Sequence, residues 1–337
     1  MKLFNKDSNN EIIVIAEIGV NHMGSLSWIL EMLPKVKSAG ADAIKFQLFT
    51  PDLYASKSNI ERYQQVSKLI LSKADFFKIK KEGDNIGLPV FATPLSHDWV
   101  SFISDTCGVL KSASGDFTFM PTVETALRTS AQVLISTGGT TRDEVKAFVD
   151  LAKSLRPGSQ YTESIAMLHC ISSYPAPVAE SNLSAIPDLD SLTGLTIGFS
   201  SHFMQDAPLF AALALGARIF EIHVTDDRSR KSIRDHALSR TPIELQDIVN
   251  NLAQLNISLL SGEKTVQPSE EINLNAMRKG LVYRSDLPIG HELSFLDLEY
   301  ARPFNPALPN VASLEGKKLK RAVKAGYSAV EDDILTN

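Results

Sequence analysis

Eight short apolar runs recur through the first part of the chain, at residues 12–19, 43–49, 89–94, 109–116, 133–138, 165–170, 196–201 and 219–224. They alternate with stretches in which apolar residues return at helical spacing, as at 26–39, 99–107, 143–155 and 205–216. A strand that is apolar on both faces belongs to a parallel sheet covered by helices, and parallel neighbours need a crossover that a helix supplies. Eight such units in regular succession predict an α/β fold, a (β/α)8 TIM barrel over residues 1–265. The competing architecture, a doubly wound open sheet, rarely holds eight regular units and needs a topological switch point.

Past the barrel the texture changes. Residues 266–276 read as a polar linker, and 277–337 as a small β-rich module with strand-like pieces at 280–283, 292–293 and 299–301. Pro303, Pro306 and Pro309 forbid a regular element after these pieces. A module of about sixty residues buries too little apolar surface to be robust alone, so it is expected to lean on a partner surface.

A barrel places its chemistry at the carboxyl ends of its strands, and those ends are polar here. The first run ends around Glu17, the second holds Lys45, the third ends in Thr93 and the fourth runs from Lys111 to Ser114 and Asp116. The fifth and sixth end at Ser136 and His169, with Tyr174 following. Lysine inside an apolar run is rare unless paired or liganded. Lys45 and Lys111, with nearby hydroxyls and glycine-rich turns, describe an anion site suited to phosphate plus carboxylate. The alternative is a pair of structural ion pairs with Glu17 and Asp42.

The last two runs end in Ser200-Ser-His202 and Glu221-Ile-His223. A right-handed crossover brings both histidines to one end of the sheet, with Glu221 one pleat below His223 on the same face. Two imidazoles and a carboxylate there suit a divalent metal; two separate histidines satisfied by backbone carbonyls are the competing reading. His169 fits a packed core position as well as a functional one, and His22 fits a loop-shaping role.

A net charge of −5 argues against a nucleic-acid partner. Cys107 and Cys170 lie in apolar surroundings and suit a reducing compartment. Neither a signal-peptide core nor a membrane-length apolar segment is evident. A cytoplasmic enzyme or binding protein without a membrane partner is expected.

The motifs Ala16-Glu-Ile-Gly-Val-Asn-His-Met-Gly24, Ala39-Gly-Ala-Asp-Ala-Ile-Lys-Phe-Gln47 and Lys111-Ser-Ala-Ser-Gly-Asp116 resemble those of the sialic acid synthase family. So do Ser136-Thr-Gly138, Leu168-His-Cys170 with Tyr174-Pro-Ala-Pro177, and Glu221-Ile-His223, and the tail resembles that family's C-terminal antifreeze-like (SAF) domain. The resemblance implies a transferase that condenses phosphoenolpyruvate with an open-chain N-acylhexosamine, such as N-acetylmannosamine or a diacetamido-hexose, adding water and releasing phosphate. It implies that Lys45, Thr93, Lys111, Ser114, Ser136, Tyr174 and Ser200 bind phosphoenolpyruvate. It further implies that His202 and His223 hold Mn2+ or another divalent cation, and that Glu17, Glu221 and Asp235 are the acidic residues of catalysis. Arg302 is implied as a ligand of the sugar's N-acyl group, reaching into the partner of a domain-swapped homodimer.

The chain departs from the family pattern at several points. Ser201 stands where an Asp is usual and Ser172 where an Asn is expected. The segment 225–237 is charged (Asp226, Asp227, Arg228, Arg230, Lys231, Arg234) in place of a Pro-Gly-Pro turn, and Pro303 to Pro309 replaces a glycine-containing turn. Two other functions compete: a sugar-binding or scaffold homologue without turnover, and a metal-dependent barrel aldolase acting on pyruvate. Within the loop, His236 fits a solvated position or a sugar contact.

Overall fold

The computed structural model describes residues 1–230, 233–259, 262–308 and 310–335; Lys231 of the charged loop and Pro309 of the tail lie outside the described residues. The chain forms two compact units, Met1–Ser261 and Gly262–Asn337.

The first unit opens with a two-stranded antiparallel hairpin, β1 (Lys2–Leu3) and β2 (Lys6–Asp7), turned by Phe4 and Asn5 at positive φ. Eight parallel strands follow: β3 (Ile13–Gly19), β4 (Ala43–Leu48), β5 (Val90–Pro94), β6 (Val109–Ser112), β7 (Gln132–Ser136), β8 (Ile165–His169), β9 (Thr196–Ser201) and β10 (Ile219–His223). They pair in chain order, and β10 closes on β3, so the barrel is formed. The 109–116 run ends early because Ser114–Asp116 turns into a 3-10 helix.

Helices α1 (Leu26–Ser38), α2 (Pro51–Tyr54), α3 (Ile60–Ser67), α4 (Lys73–Asn85), α5 (Val100–Cys107), α6 (Met120–Arg128), α7 (Arg142–Leu155), α8 (Ser159–Ser164), α9 (Ala185–Thr193), α10 (Ala207–Ala214), α11 (Asp235–Leu238) and α12 (Pro242–Ser258) fill the connections. Local chemistry sets their starts. Thr141 with Glu144 and Thr241 with Glu244 form capping boxes at α7 and α12, the latter with Pro242 pre-setting the first turn.

Alternation along the strands sorts two cores. Val14, Ala16, Ile44, Phe46 and Leu110 face the helices, whereas Ile13, Ile15, Ala43, Phe91, Val109 and Leu134 fill the barrel interior. Met1 and Leu3 join that interior cluster, so the β1–β2 hairpin plugs the amino-terminal end of the barrel. Sequence reading misses this plug because two isolated apolar residues carry no periodicity. The interior face changes character along each strand. Ile13-x-Ile15-x-Glu17, Ala43-x-Lys45-x-Gln47, Val109-x-Lys111, Leu134-x-Ser136 and Ile219-x-Glu221-x-His223 all run from apolar to polar toward the carboxyl end.

In the second unit the polar segment 266–276 is largely helical, α13 (Pro268–Met277), capped by Gln267 and Glu270 with Pro268 in the first turn. β11 (Gly280–Tyr283) pairs antiparallel with β12 (Leu298–Ala301), and Glu292 contributes only an isolated bridge to Lys318 rather than a strand. Leu281, Leu293, Leu298, Leu314 and Leu319 form its core. The Tyr283 hydroxyl donates to Asp333 Oδ2 at 3.0 Å. Among the described residues no helix is long and apolar enough to cross a membrane.

Candidate active site

The polar ends of the interior face converge on one buried layer. Lys45 Nζ lies 2.7 Å from Glu17 Oε2, donates to Thr93 Oγ1 at 2.8 Å, and lies 3.7 Å from Glu221 Oε2. Lys111 Nζ lies 3.7 Å from the same Glu221 oxygen and donates to Ser136 Oγ. Ser200 Oγ donates to Glu221 Oε1 at 2.9 Å, and Gln47 Nε2 donates to Glu17 Oε1 at 3.1 Å. Lys45 does pair with Glu17, but Asp42 pairs with Lys6 at 2.7 Å on the opposite side of the strand register. Each of the two interior lysines therefore faces hydroxyls and a shared carboxylate.

Burial sets the electrostatics of this layer. It pushes the Glu17 carboxyl up, against the pull of Lys45 and with a further push from Glu221. Burial would also raise Glu221, but Lys111, Lys45 and His223 outweigh it and hold that carboxyl below its ordinary range. Lys111 is pushed down by burial, whereas for Lys45 the carboxylates of Glu17 and Glu221 overcome burial and raise it. Glu221 is thus the fixed anion of the layer.

The histidine rings sit beside this layer, 5.4 Å apart between centroids. His202 Nδ1 donates to Ile171 O at 2.6 Å, so one backbone carbonyl satisfies one nitrogen, and the lone pair resides on Nε2. His223 Nδ1 is buried without a hydrogen-bond partner, 3.9 Å from Asp235 Oδ2. Burial lowers His202 to about 3 and His223 to about 4, so both are neutral imidazoles at physiological pH, the form that ligates metals. Among the described residues no third His, Cys, Asp or Glu completes a three-ligand set. Two neutral imidazoles, one with an orphaned buried nitrogen, are a donor set that would suit a divalent ion.

Above the layer opens a cavity of about 1160 Å³, lined by Gln47, Arg62, Ser114, Tyr174, Arg234 and Asp235 among others. The lining comes from α2 and α3 after β4, the 3-10 turn after β6, the loop after β8, and the segment leading into α11. The Tyr174 ring lies 4.1 Å from that of His202 and 6.1 Å from that of His223. Burial pushes the Asp235 carboxyl up, and it raises Asp116, at the cavity wall, to about 6.

Of the residues singled out in the sequence, Glu17, Lys45, Thr93, Lys111, Ser136, Ser200, Glu221, His202 and His223 meet in the buried layer. Ser114, Tyr174 and Asp235 line the cavity over it. Arg302 belongs to the second unit, just past β12, where its Nε donates to Met277 O at 2.6 Å. Ser201 pairs in register with Ile222, on the opposite face of β9 from Ser200. His169 Nε2 donates to Ser181 O (2.9 Å) and the ring packs by Phe199, so it pins a loop. His22 Nδ1 accepts from Gly24 N and shapes its loop as expected. His236 is fully buried and hydrogen-bonded to Thr225 Oγ1 at 2.8 Å, neither solvated nor at the cavity. Sequence reading did not single out Gln47 as a site residue, although its place two residues after Lys45 puts it on the same face.

Gly138 explains its own residue type. A Cβ there would lie 2.3 Å from Ser172 Oγ and 2.8 Å from both Cys170 Sγ and Ser114 Oγ, while its own N–H donates to Ser114 Oγ at 3.1 Å. Gly138→Ala is expected to displace Ser114 and raise the KM for the anionic substrate roughly ten-fold, the worth of one good hydrogen bond. Steady-state kinetics check this, and an unchanged KM would detach Ser114 from the site.

The NeuB family model matches residues 32–264. An uncharacterized protein of Methanocaldococcus jannaschii is 34% identical over 291 residues, 86% of this chain and 84% of that one. N,N'-diacetyllegionaminic acid synthase of Legionella pneumophila is 29% identical, covering 98% and 96%. The crystal structure of N-acetylneuraminic acid (sialic acid) synthetase from Leptospira borgpetersenii, in complex with citrate, superposes with a TM-score of 0.73 at 31% identity, over 79% of this chain and 90% of that one.

Proposed function

The chain belongs to the NeuB family, and from that premise we propose that it is a nonulosonic acid synthase that condenses phosphoenolpyruvate with an open-chain N-acylhexosamine. The observation that carries this reading is the buried layer in which two lysines, three hydroxyls and two neutral imidazoles converge under one cavity. Phosphoenolpyruvate carries anionic groups at both ends, and Lys45 and Lys111 with Thr93, Ser114, Ser136 and Ser200 match that distribution by charge-assisted hydrogen bonds. Fixing both ends presents carbon 3 in one direction, toward the histidine pair.

His202 and His223 would hold a divalent ion such as Mn2+, which supplies Lewis-acid polarisation of the acceptor's aldehyde oxygen. The Tyr174 ring packs beside both imidazoles and would limit water there. Carbon 3 bonds to the aldehyde carbon, a water oxygen bonds to carbon 2, and the bond from carbon 2 to the phosphate oxygen breaks. Glu17, held by Lys45 and Gln47, Glu221, held by Ser200, or Asp235, at the cavity edge, would orient that water or move its proton. On the same reading the second unit is an antifreeze-like domain, Arg302 is a sugar ligand, and the protein is a homodimer.

The test is inorganic phosphate release from phosphoenolpyruvate with Mn2+, across neutral and substituted N-acylhexosamines, with and without chelator. Release that needs both sugar and metal is the expected result. Binding of phosphoenolpyruvate without release for any sugar would replace the synthase with a binding protein, and condensation of pyruvate itself with the sugar, with no phosphate released from phosphoenolpyruvate, would replace it with an aldolase.

A further inference from the structure

One buried cation beside the histidine pair has no part in the chemistry just described. Arg240 follows α11 and is 3% exposed. Its guanidinium bonds mainly to backbone. Nη1 donates to Leu238 O at 2.6 Å, and Nη2 donates to Phe203 O at 3.1 Å and to Met204 O at 3.0 Å. Nε donates to Asp206 Oδ1 at 2.8 Å, the one charged partner, which is itself 44% exposed. Phe203 and Met204 directly follow His202, so the side chain fixes the segment that leaves the first histidine.

The backbone of the same residue holds the second. Arg240 N donates to His223 O at 2.7 Å and Thr225 N donates to Arg240 O at 3.0 Å, with Val224 and Arg240 bridged in parallel. The β9–β10 ladder ends with Ser201 opposite Ile222, one residue short of each histidine. Past that point Arg240 ties the two strand ends together, while Ile171 O and Ala176 N hold His202 from its other side. A planar guanidinium sets such a link rigidly, because its N–H groups point in fixed directions. Its charge also reaches His223, where it adds to burial and the two lysines in disfavouring the imidazolium. A nearby cation repels a divalent ion as well, so charge and positioning predict opposite effects on metal affinity.

We propose that Arg240 is a positioning residue for the histidine pair: by bonding to backbone on both strand ends it fixes how His202 and His223 face each other, and so sets the affinity for a divalent ion. This rests on the metal reading of the pair.

The experiment titrates Mn2+ into the full chain and into Arg240→Met, Arg240→Lys and Asp206→Asn, reading the free ion by its paramagnetic signal. Phosphoenolpyruvate binding in metal-free buffer, by calorimetry, and thermal unfolding are measured on the same samples. Arg240→Met is expected to raise the Kd for Mn2+ roughly 10- to 100-fold, the usual effect of losing a group that orients metal ligands, and to leave phosphoenolpyruvate binding unchanged. Arg240→Lys is expected to weaken Mn2+ nearly as much, because an ammonium keeps the charge without the fixed fork. Asp206→Asn loosens one end of the guanidinium and is expected to raise the Kd about two- to five-fold, as for a half-exposed ion pair. Unchanged Mn2+ affinity in the folded Arg240 variants, or in Asp206→Asn where those do not fold, overturns the positioning role and leaves a structural clamp. An equal loss of phosphoenolpyruvate binding overturns it in the same way. Tighter Mn2+ binding by Arg240→Met overturns it in favour of a purely electrostatic effect. Absence of Mn2+ binding in the wild type overturns the metal reading and the proposal together, whereas the other outcomes leave that reading standing.

Discussion

Lys45→Met is expected to lower kcat/KM for phosphoenolpyruvate by roughly 100- to 1,000-fold, the range for removing a preorganised charge from a site that excludes water. Lys45 is 3% exposed and joins Glu17, Thr93 and Glu221. The same change should destabilise the fold by about 3–5 kcal/mol, because it leaves the Glu17 carboxylate buried without its cation. Protonation of Glu17, whose carboxyl burial already raises, will recover part of that loss.

A double-variant cycle separates the two effects. Lys45→Met with Glu17→Gln removes both charges, so urea unfolding should return most of the lost stability while activity stays absent. A double variant as unstable as the single one would mean that the lysine acts through packing and not through its pair. Near-normal kcat/KM in the single variant would remove Lys45 from phosphoenolpyruvate binding.

The second large effect is expected at His223. His223→Ala should abolish Mn2+ binding at micromolar concentrations and lower turnover by about 1,000-fold, since Lewis-acid stabilisation is worth several kcal/mol. The fold should tolerate the change. His223 Nδ1 is buried without a partner, so the variant removes an unsatisfied polar atom, whose cost of about 1–3 kcal/mol offsets the cavity left behind. The paramagnetic signal of free Mn2+ during titration reads binding independently of activity, and thermal unfolding reads the fold. Undiminished turnover of the variant in the presence of chelator would sink the metal site.

These two residues also mark how much of the molecule can be read from the chain alone. The barrel is legible because each β–α unit carries local signals: an apolar strand of fixed length, a helix with its cap, and a polar strand end. Thr241 and Pro242 start α12 wherever the rest of the chain lies. Period-two alternation even sorts Lys45, Gln47, Lys111, Glu221 and His223 onto the interior face. Boundaries at the carboxyl ends drift by a few residues, as after Ser112, because the turn that ends a strand there depends on the neighbouring loop. The family motifs extend this to which residues belong together.

Tertiary structure decides what separation in sequence hides. The Met1–Leu3 plug depends on the interior of a barrel that closes only when β10 reaches β3. Whether His236 faces solvent or core depends on Thr225, eleven residues away across a loop. Glu17 and Glu221, alike in composition, are pushed in opposite directions, because burial outweighs Lys45 at the first whereas Lys111, Lys45 and His223 outweigh burial at the second. Arg240 reaches the segments beside both histidines only because β9 and β10 are neighbours in the closed barrel. Periodicity is a property of neighbours along the chain, whereas charge state and cavity shape are sums over neighbours in space, and the closed barrel is what brings those neighbours together.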